Sequence, residues 1–207
     1  MAYQGQVIDN PISGERITFV KTAADTNGEL LAVDLELSRD GQVPGAHVHP
    51  FQEERFEIVD GTMRFRKGLK AITARAGDRV VVPPGMVHRF ENAGNTTAHV
   101  RVEVRPALRM EELFEVTVAL AREGHTNKRG MPHPLALAVF MQEFEAEVRA
   151  PFVPTPAVRA ATAPLRWLAW RRGLDLSDRQ PAFERPQPRR DSRRPATRAP
   201  YGGPGGS

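Results

Sequence analysis

The sequence contains no cysteine among its 207 residues, and it has only two tryptophans and two tyrosines. The absence of cysteine excludes disulfide bonds, zinc–thiolate sites and a cysteine nucleophile, and it is compatible with a reducing cytosol. No stretch of about 18 apolar residues is present, so we expect no membrane span. The first six residues, MAYQGQ, lack a basic segment and an apolar run, so we expect no secretory signal and a cytoplasmic location.

Several catalytic signatures are also missing from the sequence. It has no glycine-rich phosphate loop, no G-X-S-X-G nucleophile elbow and no H-E-X-X-H helix. The three chemistries that depend on those motifs are therefore not expected.

The net charge of +4 is concentrated at one end of the chain. Residues 181–207 carry six arginines and two acidic residues, so residues 1–180 are formally neutral. A neutral body argues against a basic nucleic-acid-binding face on the fold, and we expect no specific nucleic-acid partner. Residues 175–207 are rich in Arg, Pro and Gly, a composition that predicts a disordered tail.

Short alternating segments with turn signals between them occupy the first half of the chain. Residues 16–22 and 31–37 alternate apolar and polar side chains, and Asn27-Gly28 between them is typical of a hairpin turn. Similar segments continue to residue 105. Many short strands at regular spacing favour a barrel or sandwich over an α/β arrangement.

Two spaced blocks within residues 41–92 combine histidine, glutamate, glycine and proline. The first reads G-X5-H-X-H-X4-E-X6-G and places His47, His49 and Glu54; the second reads G-X5-P-P-G-X2-H-X3-N and places His88. His47 and His49 share a face if the segment is an extended strand. Three imidazoles and one carboxylate form an N/O ligand set suited to Fe, Mn, Ni, Cu or Zn, with positions left open in an octahedral site.

Both blocks resemble the two motifs of the cupin superfamily, and every signature position is occupied. The resemblance implies a mainly β fold, a small double-stranded β-helix or jelly-roll barrel, with a metal in its mouth. It implies one divalent transition metal per subunit, iron first and manganese, nickel or zinc as alternatives, with His47, His49, Glu54 and His88 as ligands.

After residue 106 the apolar period changes from two to about 3.6, which predicts two or three helices. The first two span 110–122 and 135–148, and the third begins at Pro164 after a proline-interrupted stretch. The chain therefore divides into four parts: a leader at 1–14, the barrel at 15–106, a helical extension at 107–174 and the tail at 175–207.

The third predicted helix places Trp167 and Trp170 beside arginines. We expect the indoles to pack onto the barrel or onto a dimer mate, and an interfacial amphipathic helix is the alternative. Open barrel edges and additional apolar helices both predict a homodimer.

Four apolar residues beside the ligands are candidates for the wall of a substrate pocket: Phe51, Phe56, Met86 and Phe90. Alternation places Phe56 on the face of Glu54 and Phe90 on the face of His88. Glu57 is expected opposite Glu54 and outside the pocket, and only a bulge would turn this second carboxylate inward.

Three functions remain open, because the fold does not decide among them. The first is a mononuclear Fe(II) dioxygenase of a small organic molecule: four ligands leave two adjacent positions, and Glu54 doubles as a catalytic base if it detaches. The second is a non-redox isomerase, epimerase, lyase or cyclase, in which Zn, Mn or Ni acts as a Lewis acid. The third is a ligand-binding or sensing barrel. We place the dioxygenase first.

Overall fold

The structure, a computed structural model, describes residues 2–174, so the predicted tail at 175–207 lies outside the described residues. The described range contains nine strands followed by three α-helices. The strands are β1 (Val7–Asn10), β2 (Glu15–Lys21), β3 (Leu31–Leu37), β4 (Glu53–Asp60), β5 (Thr62–Lys67), β6 (Lys70–Arg75), β7 (Arg79–Val82), β8 (His88–Asn92) and β9 (Ala98–Arg105). The helices are α1 (Met110–Arg122), α2 (Pro134–Glu143) and α3 (Thr155–Arg171).

The nine strands form two antiparallel sheets. Six lie in the order β1-β2-β3-β9-β4-β7 and three in the order β6-β5-β8. Buried apolar side chains from both sheets belong to one hydrophobic cluster, so the sheets enclose a shared core. The predicted mainly β jelly-roll barrel followed by helices is confirmed.

Alternation along the strands positions the core. On β9, between β3 and β4, the three valines at 100, 102 and 104 are buried while His99 faces outward. Phe56 of β4 contacts Phe65 of β5 and Phe90 of β8 at ring-centroid distances of 5.1 and 5.2 Å. These edge-to-face contacts join the two sheets close to the motif residues in the chain, since Phe56 follows Glu54 and Phe90 follows His88 by two positions.

Two motif positions have structural rather than ligand roles. Gly61 has φ of +87°, and a Cβ there would lie 2.9 Å from the Cα of Ala98. The close approach of these two backbone segments therefore requires glycine. The buried Asn92 donates through Nδ2 to the backbone carbonyls of Leu37, Ser38 and Thr96. These contacts tie the end of β8 to the end of β3 and to the loop between β8 and β9.

The structure differs from the predicted element boundaries at three places. Strand β1 lies within the predicted leader, where it pairs with β2. Helix α2 ends at Glu143 rather than at 148, because the chain turns back to pair Arg149 with Val48. Helix α3 begins at Thr155 and includes Pro164 in its interior. Pro156 is tolerated in the first turn, because a backbone amide there has no hydrogen-bond partner within the helix and its absence costs little.

Candidate metal centre

The four predicted ligands come from three segments that meet between the two sheets. Glu54 lies on β4 of the six-stranded sheet, and His88 begins β8 of the three-stranded sheet. His47 and His49 lie in the irregular segment before β4. The backbone of His47 forms an antiparallel bridge with that of His88 through hydrogen bonds of 3.0 and 2.9 Å, which brings that segment to the site.

The ligand atoms of these residues are close together. One atom from each residue lies within 4.8 Å of the other three. His88 Nε2 is 2.7 Å from Glu54 Oε2, and His49 Nε2 is 3.5 Å from Glu54 Oε1. Donors about 2.1 Å from one ion are separated by about 3 to 4 Å, which is close to these spacings. Within residues 2–174, no other group of three or more His, Cys, Asp or Glu side chains is arranged in this way.

The three imidazoles are oriented by backbone carbonyls. Nδ1 of His47 lies 3.0 Å from the carbonyl oxygen of Gly45, Nδ1 of His49 lies 2.6 Å from that of Glu147, and Nδ1 of His88 lies 3.1 Å from that of Met86. A carbonyl only accepts, so each Nδ1 carries a proton and donates it. The Nε2 atoms are therefore the ones free to bind a metal.

Three donor atoms are buried in the centre: His49 Nε2, Glu54 Oε2 and His88 Nε2. His49 Nε2 has no hydrogen-bond partner among the described residues, and the other two atoms, 2.7 Å apart, have only each other. An unpaired buried polar atom costs about 1 to 3 kcal/mol, so this arrangement requires compensation. A divalent ion accepts electron pairs from all three atoms at once. The residues present therefore fit a transition metal with nitrogen and oxygen ligands.

The metal-free centre sets the protonation of its residues. Burial, together with the neighbouring imidazoles of His49 and His88, lowers the pKa of His47 to about 3. Burial raises the pKa of Glu54, but the contacts with His49 and His88 outweigh it and lower the value to about 2. Burial lowers the pKa of His88, but the adjacent Glu54 carboxylate outweighs it, and the net shift is upward.

Metal binding is expected to displace a proton from His88. Because the pKa of His88 lies above its ordinary value of 6.5, this imidazole still holds a proton at mildly acidic pH, whereas His47 and Glu54 have already lost theirs. Metal affinity should therefore be independent of pH above the pKa of His88 and fall about tenfold per pH unit below it. Calorimetric titration in buffers of different ionisation enthalpy measures the released proton. A flat affinity between pH 5 and 8 would contradict this assignment.

The helical extension also contributes to the centre, through residues that sequence reasoning missed. The buried Glu147 provides the carbonyl that orients His49, and its carboxylate accepts the backbone N–H of Arg109 at 3.1 Å. Val48 and Arg149 exchange two backbone hydrogen bonds of 3.1 and 2.9 Å. Contacts made through a backbone carbonyl carry no side-chain signature, so no sequence pattern indicates them.

Replacing Glu147 with alanine is expected to weaken metal binding by up to about tenfold, because the carbonyl that orients His49 remains but the turn that carries it loses its side-chain contact. The carboxylate holds this turn in place by accepting the backbone N–H of Arg109, and the backbone carbonyl of the same residue orients His49. Glu147→Gln retains an accepting oxygen and should restore most of the affinity. Competition titration with a chromogenic chelator measures the difference. Equal affinities in Glu147→Ala and the unsubstituted protein would show that the turn does not position the ligand.

The four predicted pocket residues lie in different environments. Phe56 and Phe90 are buried in the core, and the half-buried Met86 packs against it. Phe51 is 57% exposed, and the guanidinium of Arg149 lies 5.5 Å from its ring centroid. The role of these residues in substrate binding stays a prediction. Glu57 faces outward as expected and accepts a hydrogen bond from Arg79 at 3.0 Å.

Comparison with known proteins agrees with this geometry. Residues 35–104, which include all four candidate ligands, match the family model described as Cupin domain. The segment is a cupin domain. It ends within β9, so the cupin match does not include the helical extension.

Two curated relatives of this chain come from Streptomyces. The tetracenomycin polyketide synthase protein TcmJ of Streptomyces glaucescens is 26% identical over 96 residues, which are 46% of this chain and 58% of the relative. The polyketide synthase CurC of Streptomyces cyaneus is 29% identical over 72 residues, 35% of this chain and 47% of the relative. The chain spans about half the length of the curated relatives it matches.

Solved structures also resemble part of the chain. KdgF from Halomonas sp. is 19% identical with a TM-score of 0.43, and the match covers 49% of this chain and 87% of that one. An RmlC-like cupin from Shewanella frigidimarina is 20% identical with a TM-score of 0.44, and the match covers 54% and 94% of the two chains.

Proposed function

We propose that this cupin protein is a mononuclear metal-dependent dioxygenase of a small organic molecule, with the ion held by His47, His49, Glu54 and His88. The convergence of buried donor atoms supports this proposal, because His49 Nε2 has no hydrogen-bond partner among the described residues and His88 Nε2 and Glu54 Oε2 have only each other. Three nitrogen donors and one oxygen donor suit Fe(II), and they leave two adjacent octahedral positions.

The chain's own residues orient the ligands and exclude water from them. When bound, an iron ion would supply the redox chemistry and open positions for substrate and O2. The three backbone carbonyls hold the imidazoles in the tautomer whose Nε2 can bind a metal. His49, Glu54 and His88 are buried, so solvent is excluded from their side chains. The pKa of about 2 makes Glu54 a weak base at neutral pH, which favours its role as a ligand over that of a base.

A non-redox cyclase, isomerase or lyase is the second candidate, favoured by the similarity to two polyketide synthase proteins. A polyketide-like substrate carries neighbouring oxygen atoms that chelate a metal through two positions. The metal would then act as a Lewis acid and stabilise an enolate. Because Glu57 faces outward, a second carboxylate base does not lie beside Glu54, and this chemistry would depend more strongly on the metal.

Metal analysis combined with oxygen uptake separates these functions. Protein purified without a histidine tag is analysed for metals, reconstituted anaerobically with Fe(II), and then tested with phenols and 1,3-diketones in an oxygen electrode. Near-stoichiometric iron and substrate-dependent oxygen uptake support the dioxygenase. Zinc or nickel with conversion of a diketone but no oxygen uptake supports the second candidate. A protein that binds no metal even after reconstitution would exclude both.

A further inference from the structure

Helix α3 is apolar on two opposite faces. One face packs towards α2 through the half-buried Val158 and Leu165 and the buried Ala169. Positions three, four and seven residues apart lie on one side of a helix. The opposite side is defined here as the outer face of α3, and it consists of Pro156, Ala160, Ala163, Pro164, Trp167 and Trp170.

The outer face lies open to solvent in the described chain. Trp167 is 56% exposed and Trp170 is 76% exposed. The indoles therefore do not pack onto the barrel, which was one of the two placements expected from the sequence. Exposed indoles on one face, three residues apart, are typical of a surface that contacts another protein or a membrane.

The charged residues of α3 itself are all arginines. Helix α3 and its C-terminal cap carry four arginines and no acidic residue: Arg159, Arg166, Arg171 and Arg172. Arg171 stacks on the indole of Trp167, with its guanidinium carbon 4.9 Å from the ring centroid. Arg159 pairs with Glu145 of the α2–α3 connection at 2.8 Å. The complementary surface is therefore anionic as well as apolar.

We propose that the outer face of α3 docks on the surface of an anionic lipid bilayer. Indoles favour the boundary between headgroups and acyl chains, and flanking arginines pair with lipid phosphates. A second copy of this chain fits less well, since a two-fold contact would bring the arginines of one α3 close to the arginines of the other. The described residues contain no helix long and apolar enough to cross a bilayer, so the contact is peripheral.

Tryptophan fluorescence tests the proposal directly, because both tryptophans of the chain lie on this face. Vesicles containing phosphatidylglycerol should shift the emission of the full-length protein to shorter wavelength, and brominated acyl chains should quench it. Vesicles of phosphatidylcholine alone should have a much smaller effect. Unchanged emission with anionic vesicles overturns the proposal. A shift that depends on protein concentration without lipid also overturns it and identifies a second copy as the occupant.

Variants separate the outer face from the basic C-terminal residues. Trp167→Ala/Trp170→Ala in the full chain should reduce co-sedimentation with anionic vesicles at least about tenfold. Trp167→Phe/Trp170→Phe should restore part of the loss, and Leu69→Ala, at a fully exposed leucine in the β5–β6 turn, should cause none. Circular dichroism verifies that the helices are retained. If the double alanine variant sediments like the unsubstituted chain, the arginines of 181–207 bind the lipid and the proposal is wrong.

Discussion

Replacing His88 with alanine is expected to lower metal affinity by more than about a hundredfold, which reduces the metal content after gel filtration from near one per chain to a trace. His88 is fully buried, its Nε2 lies 2.7 Å from Glu54, and its backbone anchors the bridge to His47. The substitution removes one of three nitrogen donors and leaves the Glu54 carboxylate with fewer compensating partners. Elemental analysis of the purified variant measures the loss.

His99→Ala is the matched control, because His99 lies on the outward side of β9 and away from the candidate ligands. Its metal content should equal that of the unsubstituted protein. Added imidazole should restore part of the metal binding of His88→Ala, since the cavity left by the side chain accepts the free ring. Full metal occupancy in a folded His88→Ala protein would exclude His88 as a ligand.

Replacing Phe56 with alanine is expected to reduce the free energy of unfolding by about 3 to 5 kcal/mol. The side chain is 1% exposed and contacts Phe65 and Phe90 across the interface of the two sheets. The loss is a large part of the roughly 5 to 15 kcal/mol that stabilises a typical domain. Urea denaturation with a chelator present measures it, because bound metal would otherwise add to the stability.

Phe51→Ala provides the comparison, since this ring is mostly exposed and should cost less than about 1 kcal/mol. The pair also tests which predicted pocket residue contacts substrate. A substrate that touches Phe51 should raise KM in Phe51→Ala without a change in stability. If Phe56→Ala were as stable as the unsubstituted protein, Phe56 would line an open pocket rather than the core.

The sequence was sufficient to predict the class of fold and the composition of the centre. Strand alternation and turn residues depend on neighbours in the chain, so β2 and β3 were predicted close to their observed bounds. The spacing of the two motifs specified His47, His49, Glu54 and His88, which the structure brings together. The outward direction of Glu57 also followed from period two alone.

The bounds of α1 were predicted correctly, but those of α2 and α3 were not, because tertiary contacts decided them. The apolar pattern continues through Phe144 and Val148, yet α2 ends at Glu143. Beyond it the chain satisfies its backbone groups by pairing with Val48 rather than by continuing the helix. Helix α3 continues through Pro164, which the sequence placed at its beginning, because packing against α2 outweighs the loss of one backbone hydrogen bond.

The sequence by itself determined a mainly β fold of short strands and the spacing of three histidines and one glutamate, because both properties are encoded locally, and the resemblance to the cupin superfamily supplied the jelly-roll barrel. Only the tertiary structure decided that Glu147 orients His49 and that the indoles of α3 face solvent. The first contact joins residues 98 positions apart through a backbone carbonyl, which every residue type possesses. The second depends on which of two apolar faces of α3 packs on its neighbour, and a helical period does not distinguish them.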